Sequence, residues 1–274
     1  MQHIFQAVVL GIIQGITEFI PISSSGHLVI TKYFLGWHEL GGKTFDLAVH
    51  FGTLLSLFLY FWKDIVRYAK AFFLSVKERK IGDDTDRKLV WLLLLSALPG
   101  FIFGGLFDDY LEAKFNGPLI VAFNLAFFGI LLFLADHYGK DKDRPIEKSN
   151  MLDAVVIGLS QAIALIPGVS RSGITMTAGI FRKFTREAAA RFSFLMLIPI
   201  VSGAVVYKFL KVIKAGELSQ VLNLTYLTGI LTAFISGYIC IAFLLNYLKR
   251  KSFDIFVLYR IGLAAVIVLL YFLK

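Results

Sequence analysis

Two short stretches of the chain gather residue types that bind cations, bind anions and move protons. The first reads Gln14-Gly15-Ile16-Thr17-Glu18-Phe19-Ile20-Pro21-Ile22-Ser23-Ser24-Ser25-Gly26-His27. Gln14 and Glu18 stand four apart, so on a helix their oxygens share one face. Hard cations such as Mg²⁺ or Ca²⁺ take oxygen ligands of this kind, although an isolated pair also serves to knit helices together. Pro21 and the serine run end one helix and cap the next. A helix starting near Ser24 presents free backbone N–H groups, a ready anion site. His27, three residues after Ser24, is placed to accept a proton from its hydroxyl.

The second stretch reads Pro167-Gly168-Val169-Ser170-Arg171-Ser172-Gly173-Ile174-Thr175. A serine again caps a helix start, now with a guanidinium beside it. The planar donor fork of arginine fits phosphate oxygens in a bidentate way, and burying it without an anionic partner is costly. The plainer partner for Arg171 is Glu18, in a structural ion pair. Two serine-lined helix starts plus an arginine fit a phosphate better than a strut. The expected catalytic residues are Glu18, Ser24, His27 and Arg171. Ser23, Ser25, Gly26, Gly168, Ser170, Ser172 and Thr175 are expected to line the substrate, and Gln14 with Glu18 to hold a divalent cation, Mg²⁺ or Ca²⁺.

The elements that must position these residues are apolar. Of 274 residues, 57% are hydrophobic, 17% are charged and 27 are phenylalanine, and the mean hydropathy is +0.74. Soluble domains carry roughly 25% charged residues, so too few are present to cover a globule of this size. An aqueous enzyme, a disordered chain and a fibrous repeat are excluded, and an all-α integral membrane protein is expected, with the lipid bilayer as its partner. The net charge of +9 sits in short clusters between apolar runs. That is how cytoplasmic loops look, so no nucleic acid partner is expected. The one cysteine, Cys240, lies inside an apolar run and reads as a buried structural thiol. No Lys or Arg precedes Lys32, so the start lacks the basic region of a signal peptide.

A spanning helix needs about 20 mostly apolar residues. Six segments fit: 45–62, 89–107, 118–135, 192–207, 221–248 and 253–273. Two further runs, 4–22 and 154–170, end in Pro, Gly and Ser, with Glu18 or Arg171 where charge is expensive. Each is followed by a shorter apolar stretch, 28–35 or 174–181. Helix, break and half-helix suggest re-entrant hairpins over 4–35 and 154–181, tolerated at depth only where protein buries them or they line a cavity.

The two hairpins resemble each other. Gly11-Ile12-Ile13-Gln14-Gly15-Ile16 lies over Gly158-Leu159-Ser160-Gln161-Ala162-Ile163 at an offset of 147 without gaps. The same offset of 147 pairs Ser23 with Ser170, Ser25 with Ser172, Gly26 with Gly173 and Phe45 with Phe192. Three crossings separate the copies, so the second is inverted. The chain thus reads as a single membrane domain, 1–274, of two inverted repeats, 1–135 and 152–274, whose broken helices meet near the midplane.

These residues resemble the undecaprenyl-diphosphate phosphatase family, also called bacitracin-resistance proteins. That family shows a (Glu/Gln)-x-x-x-Glu stretch followed by Pro-x-Ser-Ser-x-Gly-His, then Pro-Gly-x-Ser-Arg-Ser-x-x-Thr; here these are Gln14 to Glu18, Pro21 to His27 and Pro167 to Thr175. Supporting stretches are Phe45-Asp46…His50…Gly52-Thr53 and Tyr259-Arg260, and the likeness covers essentially the whole chain. Gln14 takes the neutral option at its position. The resemblance implies a bacterial inner-membrane enzyme that removes the terminal phosphate of a C55 polyprenyl diphosphate. It also implies a divalent-cation dependence and an active site opening toward the periplasm. Other lipid phosphatases share a Ser-Gly-His element, but their Ser-Arg is followed after five residues by His, where this chain has Thr177. A secondary transporter or lipid flippase is the rival reading, since inverted repeats and broken helices are transporter architecture.

If both hairpins return to the side they entered, one side receives the loops 63–88, 136–153, 182–191 and 249–251, with 19 of the 28 basic residues, and the other side seven. The positive-inside rule then puts both termini outside. Single cysteines near Glu112 and Lys214 are therefore expected to react with an impermeant thiol reagent applied from the periplasmic side. Cysteines near Lys80 and Lys142 are expected to stay unlabelled, and labelling of the Lys80 loop would overturn this orientation.

Overall fold

Proline and serine at two points, and glycine or charge elsewhere, cut this apolar chain into helices. The computed structural model describes residues 2–37, 43–115, 117–138, 142–214 and 223–273, and these form eleven α-helices and no strand. Helix α1 (Gln2–Phe19) is followed by α2 (Ser24–Leu35), which ends on Gly36 in the left-handed conformation at φ 66°. Helix α3 (Lys43–Tyr60) turns by 78° into α4 (Trp62–Glu78). Then come α5 (Thr85–Phe115) and α6 (Pro118–Tyr138). The second half holds α7 (Met151–Ile163), α8 (Arg171–Phe181), α9 (Arg186–Lys214), α10 (Leu224–Leu248) and α11 (Asp254–Leu273). Five helices are long and apolar enough to cross a bilayer, or six with the bent α3–α4 pair taken as one. The chain is an all-helical, multi-pass membrane protein.

Three boundaries differ from the sequence reading. The basic stretch 63–88, expected as a loop, contains the amphipathic helix α4, whose Tyr68, Ala71 and Ser75 are buried while Lys63 and Lys77 face outward. Charge density marked it as loop, yet a polar face on one side of a helix suits the membrane interface. Helix α5 runs on to Phe115, past residue 107 where the second span was expected to end. Helix α7 stops at Ile163, so residues 164–170 form turns at the second break where a longer apolar run was expected. Val221, the expected start of the fifth span, lies outside the described residues.

Packing pairs the two halves crosswise. Helix α1 lies against α10, and α7 lies against α5; α3 packs on α10, and α9 on α5. Helices α3 and α9 meet each other, as do α6 and α11. At the centre the ring of Phe194 takes Phe19 edge-on at 5.3 Å and Phe61 at 6.4 Å. Ion pairs close the basic side. Asp153 receives Arg144 at 2.6 Å and Arg182 at 2.7 Å, and Asp136 receives Arg186 at 2.7 Å, Lys142 at 3.2 Å and the amide of Phe253 at 3.0 Å. Burial alone would raise the Asp153 carboxyl, but the Arg144 and Arg182 hydrogen bonds prevail and hold it below its usual value. Its stabilising contribution is thus present above the ordinary carboxylate range and is lost as the pH falls through the lowered value.

The α1–α10 contact depends on Gly15. A Cβ there would stand 2.6 Å from the Ala233 carbonyl oxygen and 2.8 Å from the Gly237 amide, both backbone atoms. Gly15→Ala is expected to destabilise the protein by about 1–3 kcal/mol through overpacking, read as a lower thermal unfolding midpoint in detergent. Gly105→Ala, where nothing lies within 4 Å, is the control expected to leave that midpoint unchanged or raised.

Candidate active site

The two breaks share one local geometry. Ser23 and Ser170 take φ 75° and 74°, a region that costs a non-glycine residue about 1–3 kcal/mol. Each then caps its helix: Ser23 Oγ accepts from the Gly26 amide at 3.3 Å, and Ser170 Oγ from the Gly173 amide at 3.1 Å. Next to them Ser25 lies 3.4 Å from Ser23, and Ser172 lies 3.2 Å from Ser170, hydroxyl to hydroxyl. The first-turn amides of Ser24 and Ser25, and of Arg171 and Ser172, are left without an intrahelical acceptor. Two electropositive helix ends result.

The breaks also touch. Ser172 Oγ donates to the Ile20 carbonyl at 3.2 Å, and the Gly26 backbone abuts Gly168 closely enough that a Cβ would lie 3.5 Å from its Cα. Gly168 itself sits at φ 91°, where a Cβ would meet the Val121 carbonyl oxygen at 2.7 Å. Asn124 Nδ2 donates to the Pro167 carbonyl at 2.8 Å.

Beneath both lies Arg260, completely buried. Its Nε donates to the Leu125 carbonyl at 2.9 Å and one terminal nitrogen to the Pro21 carbonyl at 3.0 Å. The other reaches Asn124, Gly168 and Val169 carbonyls at 3.2, 3.1 and 3.0 Å. Three nitrogens thus serve five carbonyls from α6 and from both breaks. Tyr259, its neighbour, donates its hydroxyl to His27 Nε2 at 2.8 Å and stacks on that ring. The sequence marks both residues as a supporting stretch but assigns neither a partner. A charged residue inside an apolar span was the available signal.

Ser24 points elsewhere than expected. Its hydroxyl donates to Glu18 Oε2 at 2.6 Å. His27 is engaged on both sides, because Nδ1 lies 2.7 Å from the Ser23 carbonyl, which only accepts, and Nε2 receives Tyr259. The proton partner that the structure brings to Ser24 is therefore Glu18, not His27. Thr175, expected to line the substrate, is fully buried. Its hydroxyl serves the Arg171 carbonyl at 2.8 Å and Ser193 at 2.7 Å, so it braces the start of α8. Ser23, Ser170 and Ser172 are buried as well, whereas Ser24, Ser25 and Arg171 keep some exposure. The structural ion pair weighed for Arg171 does not form: among the described residues its guanidinium has no hydrogen-bond partner, although it is near enough to act on the Glu18 charge.

Gln14 Nε2 donates to Glu18 Oε2 at 3.1 Å, and Gln14 Oε1 is buried without a donor. Amide oxygen and nitrogen are exchangeable in such a side chain. Exchanging them puts two oxygens 3.1 Å apart, a spacing that two ligands of one cation can take. The donor set fits a divalent ion. Another grouping, Asp136, His137 and Asp254, brings three ligand atoms close, but Asp136 is already saturated by Arg186, Lys142 and the Phe253 amide.

Lysine at position 260 has three donors on a single nitrogen and cannot span five carbonyls. Each buried carbonyl left unpaired costs about 1–3 kcal/mol. Arg260→Lys is therefore expected to lower the thermal midpoint in detergent sharply, and an unchanged midpoint would show that the clasp contributes little.

Comparison with known proteins places this geometry in a lineage. The profile of bacitracin resistance protein BacA matches residues 7–266. A protein of Moorella thermoacetica named undecaprenyl-diphosphatase is 45% identical over 271 residues, covering 99% of each chain. Namesakes from Thermodesulfovibrio yellowstonii, 45% identical over 275 residues and 100% of each chain, and Rubrobacter xylanophilus, 41% identical over 268 residues, 97% of this chain and 98% of that one, align as fully. With the match running nearly from end to end, the chain belongs to the bacitracin resistance protein BacA family.

Proposed function

We propose that this protein hydrolyses undecaprenyl diphosphate to undecaprenyl phosphate and inorganic phosphate, renewing the lipid carrier of cell-wall synthesis and so conferring bacitracin resistance. The observation that carries the reading is the Ser24 hydroxyl, 2.6 Å from Glu18, beside two helix N-termini and a guanidinium with no hydrogen-bond partner among the described residues. Transfer of a phosphoryl group asks chiefly for positioning and charge neutralisation. Arg171 and the amides at Ser24, Ser25, Arg171 and Ser172 supply donors for the diphosphate oxygens. Glu18 takes the Ser24 proton as the Ser24 oxygen attacks the terminal phosphorus, and the bond to the bridging oxygen breaks, releasing the lipid monophosphate. Water then cleaves the phosphoserine. His27, pinned by Ser23 and Tyr259, fixes the first turn of α2. A divalent cation held by Gln14 and Glu18 would add positive charge where phosphate oxygens gather. For the tail, an apolar surface groove of about 340 Å³ where α3, the start of α4 and α10 meet is lined by Leu55, Phe58, Leu59, Trp62 and Phe234, one to three turns along the chain from His50.

The membrane arrangement belongs to the same reading. Six spans and two re-entrant hairpins, over 4–35 and 154–181, form a single domain of inverted repeats, 1–135 and 152–274. Crosswise packing, matched caps at Ser23 and Ser170, and the asymmetry of basic loops support it. The termini and the site face the periplasmic side of the bacterial inner membrane. A transporter reading has no comparable support, because the similar proteins carry a phosphatase name.

Purified protein is expected to release phosphate from undecaprenyl diphosphate, and EDTA or Glu18→Gln to abolish most of it. Once bound substrate covers Arg171, losing a bidentate charge partner costs roughly 2–5 kcal/mol, about 30- to several-thousand-fold in rate. Arg171→Lys should fall by that factor while remaining monodisperse. Ser24→Ala should be nearly inactive, and Ser24→Ala with Glu18→Gln hardly worse than either alone, as for two members of one proton transfer. Near-normal turnover of Arg171→Lys would remove the clamp. Strictly additive losses would remove Ser24 as nucleophile in favour of a water.

A further inference from the structure

The sequence motifs leave His50 without a task. It sits on α3, one turn beyond Asp46, and its Nδ1 lies 2.7 Å from the Asp46 carbonyl. A carbonyl only accepts, so Nδ1 carries the hydrogen, and in the neutral ring Nε2 presents a lone pair. That lone pair stands 3.8 Å from Glu18 Oε2, too far for a hydrogen bond. Two ligand atoms, each about 2.1 Å from a shared cation, lie about 3.0–3.5 Å apart. A small side-chain rotation closes the remaining tenths of an ångström. A histidine whose second nitrogen is tied to a backbone carbonyl is also the usual arrangement of metal-bound imidazoles. His27 has no such freedom, since both its nitrogens are engaged.

We propose that His50 Nε2 is a third protein ligand of the divalent cation, joining Glu18 and the Gln14 amide oxygen across the α1–α3 contact. The proposal rests on the reading that Gln14 and Glu18 hold a cation, and it specifies which cation the site suits. Carboxylate and amide oxygens alone favour Mg²⁺ or Ca²⁺, whereas an imidazole shifts preference toward first-row transition ions such as Mn²⁺ or Zn²⁺. The competing arrangement is a protonated His50 paired with Glu18. The two predict opposite signs. Removing a ligand weakens cation binding, and removing a positive charge from beside the carboxylate strengthens it.

The test needs no substrate. Detergent-purified protein is loaded with Mn²⁺, and electron spin-echo modulation is recorded for wild type and His50→Gln, with Mn²⁺ and Ca²⁺ affinities measured by titration calorimetry. Expected are ¹⁴N modulation in wild type that vanishes in His50→Gln, and a Mn²⁺ affinity weakened by no less than the roughly 10- to 100-fold that loss of an outer-shell partner alone costs, while Ca²⁺ affinity moves much less. Bound Mn²⁺ without nitrogen modulation in wild type overturns the proposal and leaves the Gln14–Glu18 reading standing; this outcome does not depend on any variant folding. Modulation surviving in His50→Gln, or tighter Mn²⁺ binding by that variant, also overturns it. Failure of wild type to bind Mn²⁺ or Ca²⁺ at all overturns both.

Discussion

A helix that breaks inside a bilayer frees carbonyl groups that water cannot reach, and in lipid every such group must find a partner within the protein. Arg260 is the partner in this molecule. Its guanidinium is fully buried and meets no carboxylate; instead it gathers carbonyls from Pro21, from Gly168 and Val169, and from α6. Remove that clasp, and the Pro21, Gly168 and Val169 carbonyls lose the partner that ties the two breaks together. The charge is also used twice. It satisfies the carbonyls on the inner side of the breaks, and it leaves net positive potential beneath two helix N-termini that already favour anions.

From this clasp the site follows. Because each break passes through an uncommon serine conformation before restarting as a helix, Ser23 and Ser170 face inward as caps, and the residues after them face the opening. Ser24 is thereby delivered to Glu18, and Arg171 stays half-buried beside it. The buried hydroxyls of Ser172, Thr175 and Ser193 brace α8 from behind. Preorganisation here is a matter of backbone, since donors are fixed before any ligand arrives.

Much of this could be read from the amino acids. Apolar run lengths gave the long helices, and Pro-Ser and Pro-Gly-x-Ser marked both breaks to within a few residues. The spacing of Gln14 and Glu18 put them on one face, as the 3.1 Å contact between them bears out. What stayed hidden depends on distance along the chain. The Tyr259–His27 bond joins residues 232 apart, and nothing in local pattern fixes such a partner. The same blindness paired Ser24 with the nearer His27 when folding hands it to Glu18. Helix α4 escaped notice for a different reason, because its lysines and arginines outweighed an apolar face that only the 3.6-residue period reveals.

The sharp turn between α3 and α4 acts as a depth gauge. An amphipathic helix rests at the boundary between headgroups and hydrocarbon, so α4 fixes the level of Tyr60 in the membrane. His50 stands ten residues back along α3, which at 1.5 Å per residue is about 15 Å, or half of a hydrocarbon core about 30 Å thick. On the proposed reading of the site, a diphosphate arriving at headgroup level in the leaflet opposite α4 must sink by a comparable distance to reach Glu18. Bilayer thickness then becomes a kinetic variable: each added ångström of acyl chain lengthens that descent while α4 holds the site at a fixed distance from the interface on which it rests. Lipid composition, through mismatch alone, would tune how readily the carrier is recycled.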